Sequence, residues 1–143
     1  MTYLLDVNVL LALLDADHVF HDQAHSWFEA NASEGWATCP ITENGVIRIL
    51  GQARYPKGPG TPAAAAELLG IARNLPGHCF WNDEISLLSS PLVDVSAIAG
   101  SAQVTDTYLL ALAVYRGGML ATFDRRLLPA AVAGGSEALR LIS

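Results

Sequence analysis

Short apolar runs alternate along this chain with longer stretches of helical period, and capping or turn residues mark the switches between them. Tyr3-Leu4-Leu5 reads as a buried strand ending at Asp6, with Asn8 placed to cap a helix from Val9 to Leu14. A second helix is expected over His18 to Asn31. Trp36-Ala37-Thr38-Cys39 is a strand stopped by Pro40. Thr42 then has the form of an N-cap, with Glu43 in the first turn of a helix carrying Val46, Ile47 and Leu50. Pro56, Gly58, Pro59, Gly60 and Pro62 predict an exposed loop before an alanine-rich helix from Ala63 to Asn74, which Pro76-Gly77 breaks.

Cys79-Phe80-Trp81 is a third strand, and the less regular stretch from Asp83 to Gly100 has room for one short helix. Thr105 is read as the cap of a helix from Asp106 to Arg116 that is apolar nearly all round and therefore buried, ended by Gly117 and Gly118. Met119 to Phe123 is a fourth strand with Asp124 at its carboxyl end, and Ala138 to Ile142 predicts a fifth. Strands alternating with helices imply an α/β fold with a parallel sheet, whose ligand sites form outside the carboxyl ends of the strands. With no internal repeat and no linker, residues 1–143 are expected to form one domain.

Composition changes this picture in one respect. At 52% hydrophobic and 15% charged residues, the chain is more apolar than a small monomer needs, so part of its surface is expected to meet a partner, a second copy or another protein. The net charge of -6 argues against a broadly basic nucleic-acid surface, but four of the fourteen acids have another use. Cys39 and Cys79 are too few and too far apart for a zinc motif and are read as buried free thiols. The run from Tyr3 to Leu14 lacks a basic flank and is interrupted by Asp6 and Asn8, and no apolar stretch approaches the roughly 20 residues of a membrane span. A soluble cytoplasmic protein is the expectation.

Asp6, Glu43, Asp106 and Asp124 each fall at a junction between predicted elements, where an apolar sequence has little structural use for a carboxylate. Singly, each is explained as a helix-terminus acid or a surface ion-pair partner. Gathered in one pocket, four like charges require raised pKa values or a cation, and carboxylate oxygens are the natural ligands of Mg2+ or Mn2+. Asn8 is read as a cap whose amide is also placed to orient Asp6. Thr122 is either a plain strand former or a hydroxyl that holds a carboxylate or water. Arg48, Arg54 and Lys57 form the nearest thing to a basic cluster, a solvated face or a contact for a phosphate backbone. His18, His21 and His25 share one face of the predicted helix, but without a His-Glu-x-x-His pattern or a fourth ligand a zinc site is not favoured. Trp27, Trp36 and Trp81 are read as core or interface residues.

Leu4-Leu5-Asp6-Val7-Asn8, Thr42-Glu43, the run from Val104-Thr105-Asp106 to Ala113, and Ala121-Thr122-Phe123-Asp124-Arg125-Arg126-Leu127 together resemble the PIN-domain family, more narrowly its VapC-type ribonuclease toxins. The likeness spans nearly the whole length. It implies a three-layer α/β/α sandwich with a mainly parallel sheet of four to five strands. It also implies an obligate divalent cation, hydrolysis of single-stranded or looped RNA, a VapB-like antitoxin that covers the site, and dimerisation. Carried over residue by residue, the acids are Asp6, Glu43, Asp106 and Asp124, with Asn8 and Thr122 in support. The expected mechanism has Asp6 and Asp106 holding the principal cation, with Glu43 and Asp124 completing the pocket directly or through water. Three rivals stand beside it: a DNA nuclease with the same acids, a catalytically silent PIN-like binding module, and a phosphorylatable receiver or dehalogenase-like domain. The last needs a phosphate-neutralising lysine, and the only lysine is Lys57 in the Pro-Gly loop.

Overall fold

Five strands, β1 (Tyr3–Leu5), β2 (Trp36–Thr38), β3 (His78–Phe80), β4 (Met119–Thr122) and β5 (Leu139–Leu141), form one sheet in the order β3-β2-β1-β4-β5, with every pairing parallel. The structure is a computed structural model describing residues 1–143. Successive strand residues point to opposite faces, and both faces are covered. Tyr3, Leu5, Trp36 and Ala121 pack with Val9, Leu10, Trp27, Val46, Leu50 and Leu69, from α1 (Val7–Leu14), α2 (His21–Asn31), α3 (Pro40–Leu50) and α4 (Pro62–Ala72). Leu4, Ala37 and Leu120 face the other way, onto Tyr108 to Ala113 of α5 (Val104–Tyr115) and Ala138 of α6 (Gly135–Ala138). This is the expected three-layer sandwich, and α5 is buried on most sides because its apolar residues run around the helix.

The chain steps from β1 to β2 to β3 in one direction, then returns through α5 to lay β4 on the opposite side of β1. The order therefore reverses between β1 and β4. At such a reversal the connections leave in opposite directions and open a crevice at the carboxyl ends of the two strands. Asp6 follows β1 directly, and Asp124 lies two residues beyond β4.

Several predicted boundaries are corrected. Asp6, not Asn8, is the N-cap of α1, because its extended backbone lets the carboxylate accept the Val9 amide at 2.9 Å. Helix α3 begins at Pro40 rather than after Thr42: a proline at N1 gives up no needed amide, and Thr42 instead sits inside the first turn, accepting the Cys39 N–H at 3.0 Å. Thr105 is likewise inside α5, which starts at Val104 after a short 3-10 turn. Helix α2 starts at His21, so His18 is not on the histidine face; His21 and His25 reach the Ala12 and Leu13 carbonyls of α1. Cys79 is half-buried on an edge-side strand, while Cys39 is buried, and both are free thiols. Between Asp83 and Gly100 a single 3-10 turn, Val95–Ala97, stands where a short helix was allowed for.

Candidate functional site

Asp6 is buried at the crevice, with both carboxylate oxygens engaged. Oδ1 accepts the Val9 amide, and Oδ2 accepts the hydroxyl of the fully buried Thr122. The site is thus built across the reversal: β1 delivers the carboxylate and β4 the hydroxyl that holds it. Thr122 also accepts the Asp124 N–H at 3.0 Å, which turns the chain after β4. Asp124 in turn accepts the Arg126 N–H at 2.9 Å and stands 3.4 Å from its Nε. Asp106 lies half-buried in the first turn of α5.

Electrostatics tie these three aspartates together. Burial raises Asp6 from the ordinary carboxylate range to about 6, against the lowering effect of its Thr122 and Val9 hydrogen bonds, and Asp106 and Asp124 push it further up. Asp106 is raised by burial and then by Asp124. Removing the charge of Asp106 or Asp124 relieves Asp6, and removing that of Asp124 relieves Asp106.

Glu43 belongs to a neighbouring group. Its Oε2 accepts the Thr38 hydroxyl at 2.6 Å and lies 3.3 Å from Arg73. Thr38 Oγ1 is 2.8 Å from His78 Nε2, so with its own proton on Glu43 the threonine accepts from the imidazole. Burial and then Arg73 push the His78 pKa down, while Glu43 opposes them. Thr38, Arg73 and His78 had no signal of their own in the sequence; the parallel pairing of β2 with β3 sets His78 beside Thr38, and the end of α4 delivers Arg73 to Glu43.

Asn8, exposed in the first turn of α1, lines a cleft with Asp124. Arg48, Arg54 and Lys57 do not line this cleft. Lys57 pairs with Asp17 at 3.8 Å, and its loop is tied to Asp15 through Tyr55 at 2.7 Å, beyond the end of α1 that is remote from Asp6. Eight helical residues separate the two ends, roughly 12 Å.

The donor set suits a hard divalent cation. A buried carboxylate with two acidic neighbours offers negative oxygen and no soft ligand. No three His, Cys, Asp or Glu side chains stand close enough to grip one ion between them. The four-acid pocket expected from the sequence is therefore not gathered here: Asp6, Asp106 and Asp124 share one electrostatic group, while Glu43 is held apart on Thr38 and Arg73. Magnesium, which keeps several of its waters, takes only one or two protein carboxylates.

A five-stranded parallel sheet with acids at its β1/β4 reversal is the architecture of a known family, and the PIN domain family model matches residues 3–133. The chain belongs to the PIN-domain family. It is 47% identical over 137 residues to Ribonuclease VapC44 of Mycobacterium tuberculosis, covering 96% of each chain. It is 45% identical over 139 residues to Ribonuclease VapC39 of the same organism, covering 97% of this chain and 100% of the relative. Among solved structures it resembles VapBC2 from Rickettsia felis bound to a DNA fragment from their promoter, with a TM-score of 0.62 over 100% of both chains at 13% identity. That likeness concerns the fold.

Proposed function

We propose that this protein is a ribonuclease toxin of the VapC type, hydrolysing phosphodiester bonds in single-stranded or looped RNA with the help of Mg2+ or Mn2+. The observation that carries the reading is the buried Asp6 at the β1/β4 reversal, held by Thr122 and raised to about 6 amid Asp106 and Asp124. Near-full-length identity to proteins named as ribonucleases supports RNA over DNA.

Asp6 and Asp106 would hold the cation, with Asp124 beside them and Glu43 reaching the same region through water. When bound, such a cation acidifies a coordinated water and offsets charge developing on the phosphate. Thr122 fixes one oxygen of the Asp6 carboxylate with a hydroxyl that the Asp124 N–H in turn holds, and the Val9 amide holds the second oxygen. Arg73 and Thr38 hold Glu43 in one orientation. These contacts spare the acids the cost of ordering themselves around substrate.

The same reading includes a VapB-like antitoxin, a homodimer and a cytoplasmic setting. Exposed Leu68, Ile71, Leu75 and Phe80 support a protein partner, because an apolar surface of this kind gains by being covered. No helix is long and apolar enough to cross a membrane.

The test incubates the purified protein with pools of RNA and DNA in Mg2+, Mn2+ or EDTA and maps the new ends by sequencing. Cuts in RNA that vanish in EDTA are expected. Cleavage confined to DNA, or cleavage undiminished by EDTA, overturns the reading.

A further inference from the structure

Beside Asp124 lies a cleft of about 460 Å³ that the acids themselves do not explain. Its floor is a pair of aromatic rings, Phe20 and Phe123, stacked with centroids 4.7 Å apart and planes 18° from parallel. Phe20 stays 38% exposed despite that stack. His18 leans against it at 6.0 Å, and the Phe20 N–H donates to His18 Nδ1 at 3.0 Å. In the neutral ring the proton therefore sits on Nε2, leaving a donor available to a ligand. Arg125 and Arg126 close the other side. Arg126 is 90% exposed and only loosely paired with Asp124, and Arg125 forms no ion pair.

We propose that this cleft is a nucleotide subsite: the unpaired base of a nucleotide flanking the scissile phosphate stacks on Phe20, and its backbone phosphate is held by Arg125 and Arg126. The inference rests on the reading above for the word scissile, but the binding it describes does not need hydrolysis. An exposed ring already backed by a second ring is a stacking platform that loses no freedom when a base covers it. Guanidinium groups supply the fork that phosphate oxygens accept. The place is right as well, since Asp124 lines the cleft and acts on Asp6, and Asn8, two residues after Asp6 in the chain, lines the cleft too. In a chain of net charge -6 this makes a local basic patch where substrate must pass.

The test uses fluorescence anisotropy of a labelled eight-nucleotide RNA in EDTA at low salt, with an abasic site placed at each position in turn. For the wild type, one abasic position weakens binding about fivefold or more. Phe20→Ala weakens the intact RNA to a similar degree and makes that position indifferent, while Phe20→Trp, which keeps a stacking face, retains the wild-type profile. Arg125→Ala lowers the slope of log affinity against log salt by about 0.7, one phosphate contact on a single strand. Circular dichroism melts check that each variant is folded. An abasic profile without a sensitive position, or one unchanged in folded Phe20→Ala, overturns the subsite, and so does an unchanged salt slope in Arg125→Ala. RNA that binds with this profile yet stays intact in Mg2+ and Mn2+ keeps the subsite and overturns the ribonuclease reading instead.

Discussion

Thr122 donates its hydroxyl to the buried carboxylate of Asp6, joining two residues 116 positions apart in the chain. The same oxygen receives the Asp124 N–H, so one side chain locks the acid after β1 to the acid after β4. Thr122→Val keeps the shape and removes both contacts. It is expected to cost about 1–3 kcal/mol in urea unfolding and to raise the Asp6 pKa further, read by carboxyl-carbon NMR. Wild-type values for both would mean that the hydroxyl is idle.

Asp6 titrates near 6 in the folded protein against 3.8 for an unperturbed aspartate. Between those values the folded state keeps a proton that the unfolded chain has lost. The Asp6 contribution to stability therefore falls as pH rises from roughly 4 to 6 and is level above, an effect on the order of 3 kcal/mol. Asp106, also raised, acts in the same direction. Comparing wild type with Asp6→Asn in EDTA isolates the effect from other carboxylates: the variant gains on the wild type as pH increases through that window. A constant difference between them contradicts it.

On the proposed function, a divalent cation would compete with that proton. At pH 7.5, Mg2+ or Mn2+ at about 100 times its Kd should stabilise the protein by about 2.7 kcal/mol, seen as a rise in Tm over EDTA. At pH 5, below the raised pKa of Asp6, the same addition should do far less. An equal shift at both pH values would place the cation elsewhere.

Helix α3 touches α1 beside the site: a Cβ added at Gly45 would lie 2.7 Å from Val7 Cγ2. Gly45→Ala should cost about 1–3 kcal/mol in chemical denaturation. It should lower RNA cleavage too, since Val7 follows Asp6 directly. Unchanged stability would show that the two helices separate freely.

Much of this was legible in the sequence because strands buried on both faces write themselves as apolar runs, and Tyr3–Leu5 and Met119–Thr122 end where the acids begin. The helix starts were less legible. Asn8, Thr42 and Thr105 all have capping chemistry, but Asp6 and Pro40 claimed the first turns, and Thr105 entered a helix already begun by a 3-10 turn. Local preference names a residue type that suits a cap; the tertiary path decides which one takes it. The Phe20 and Phe123 stack was beyond reach for another reason. The two rings belong to a turn and a strand end with no periodic pattern linking them, and only the folded sheet brings them together. The same holds for Glu43 with Thr38, Arg73 and His78, a grouping that required both the β2/β3 pairing and the placement of the α4 end.

The central claim, that Asp6 and Asp106 hold a cation that cleaves RNA, is tested most directly by one rate comparison in Mn2+ on a mapped RNA substrate. Asp6→Asn and Asp106→Asn should each fall at least about 100-fold below the wild type while keeping its circular dichroism spectrum. Cleavage at the wild-type rate by either folded variant would contradict the account.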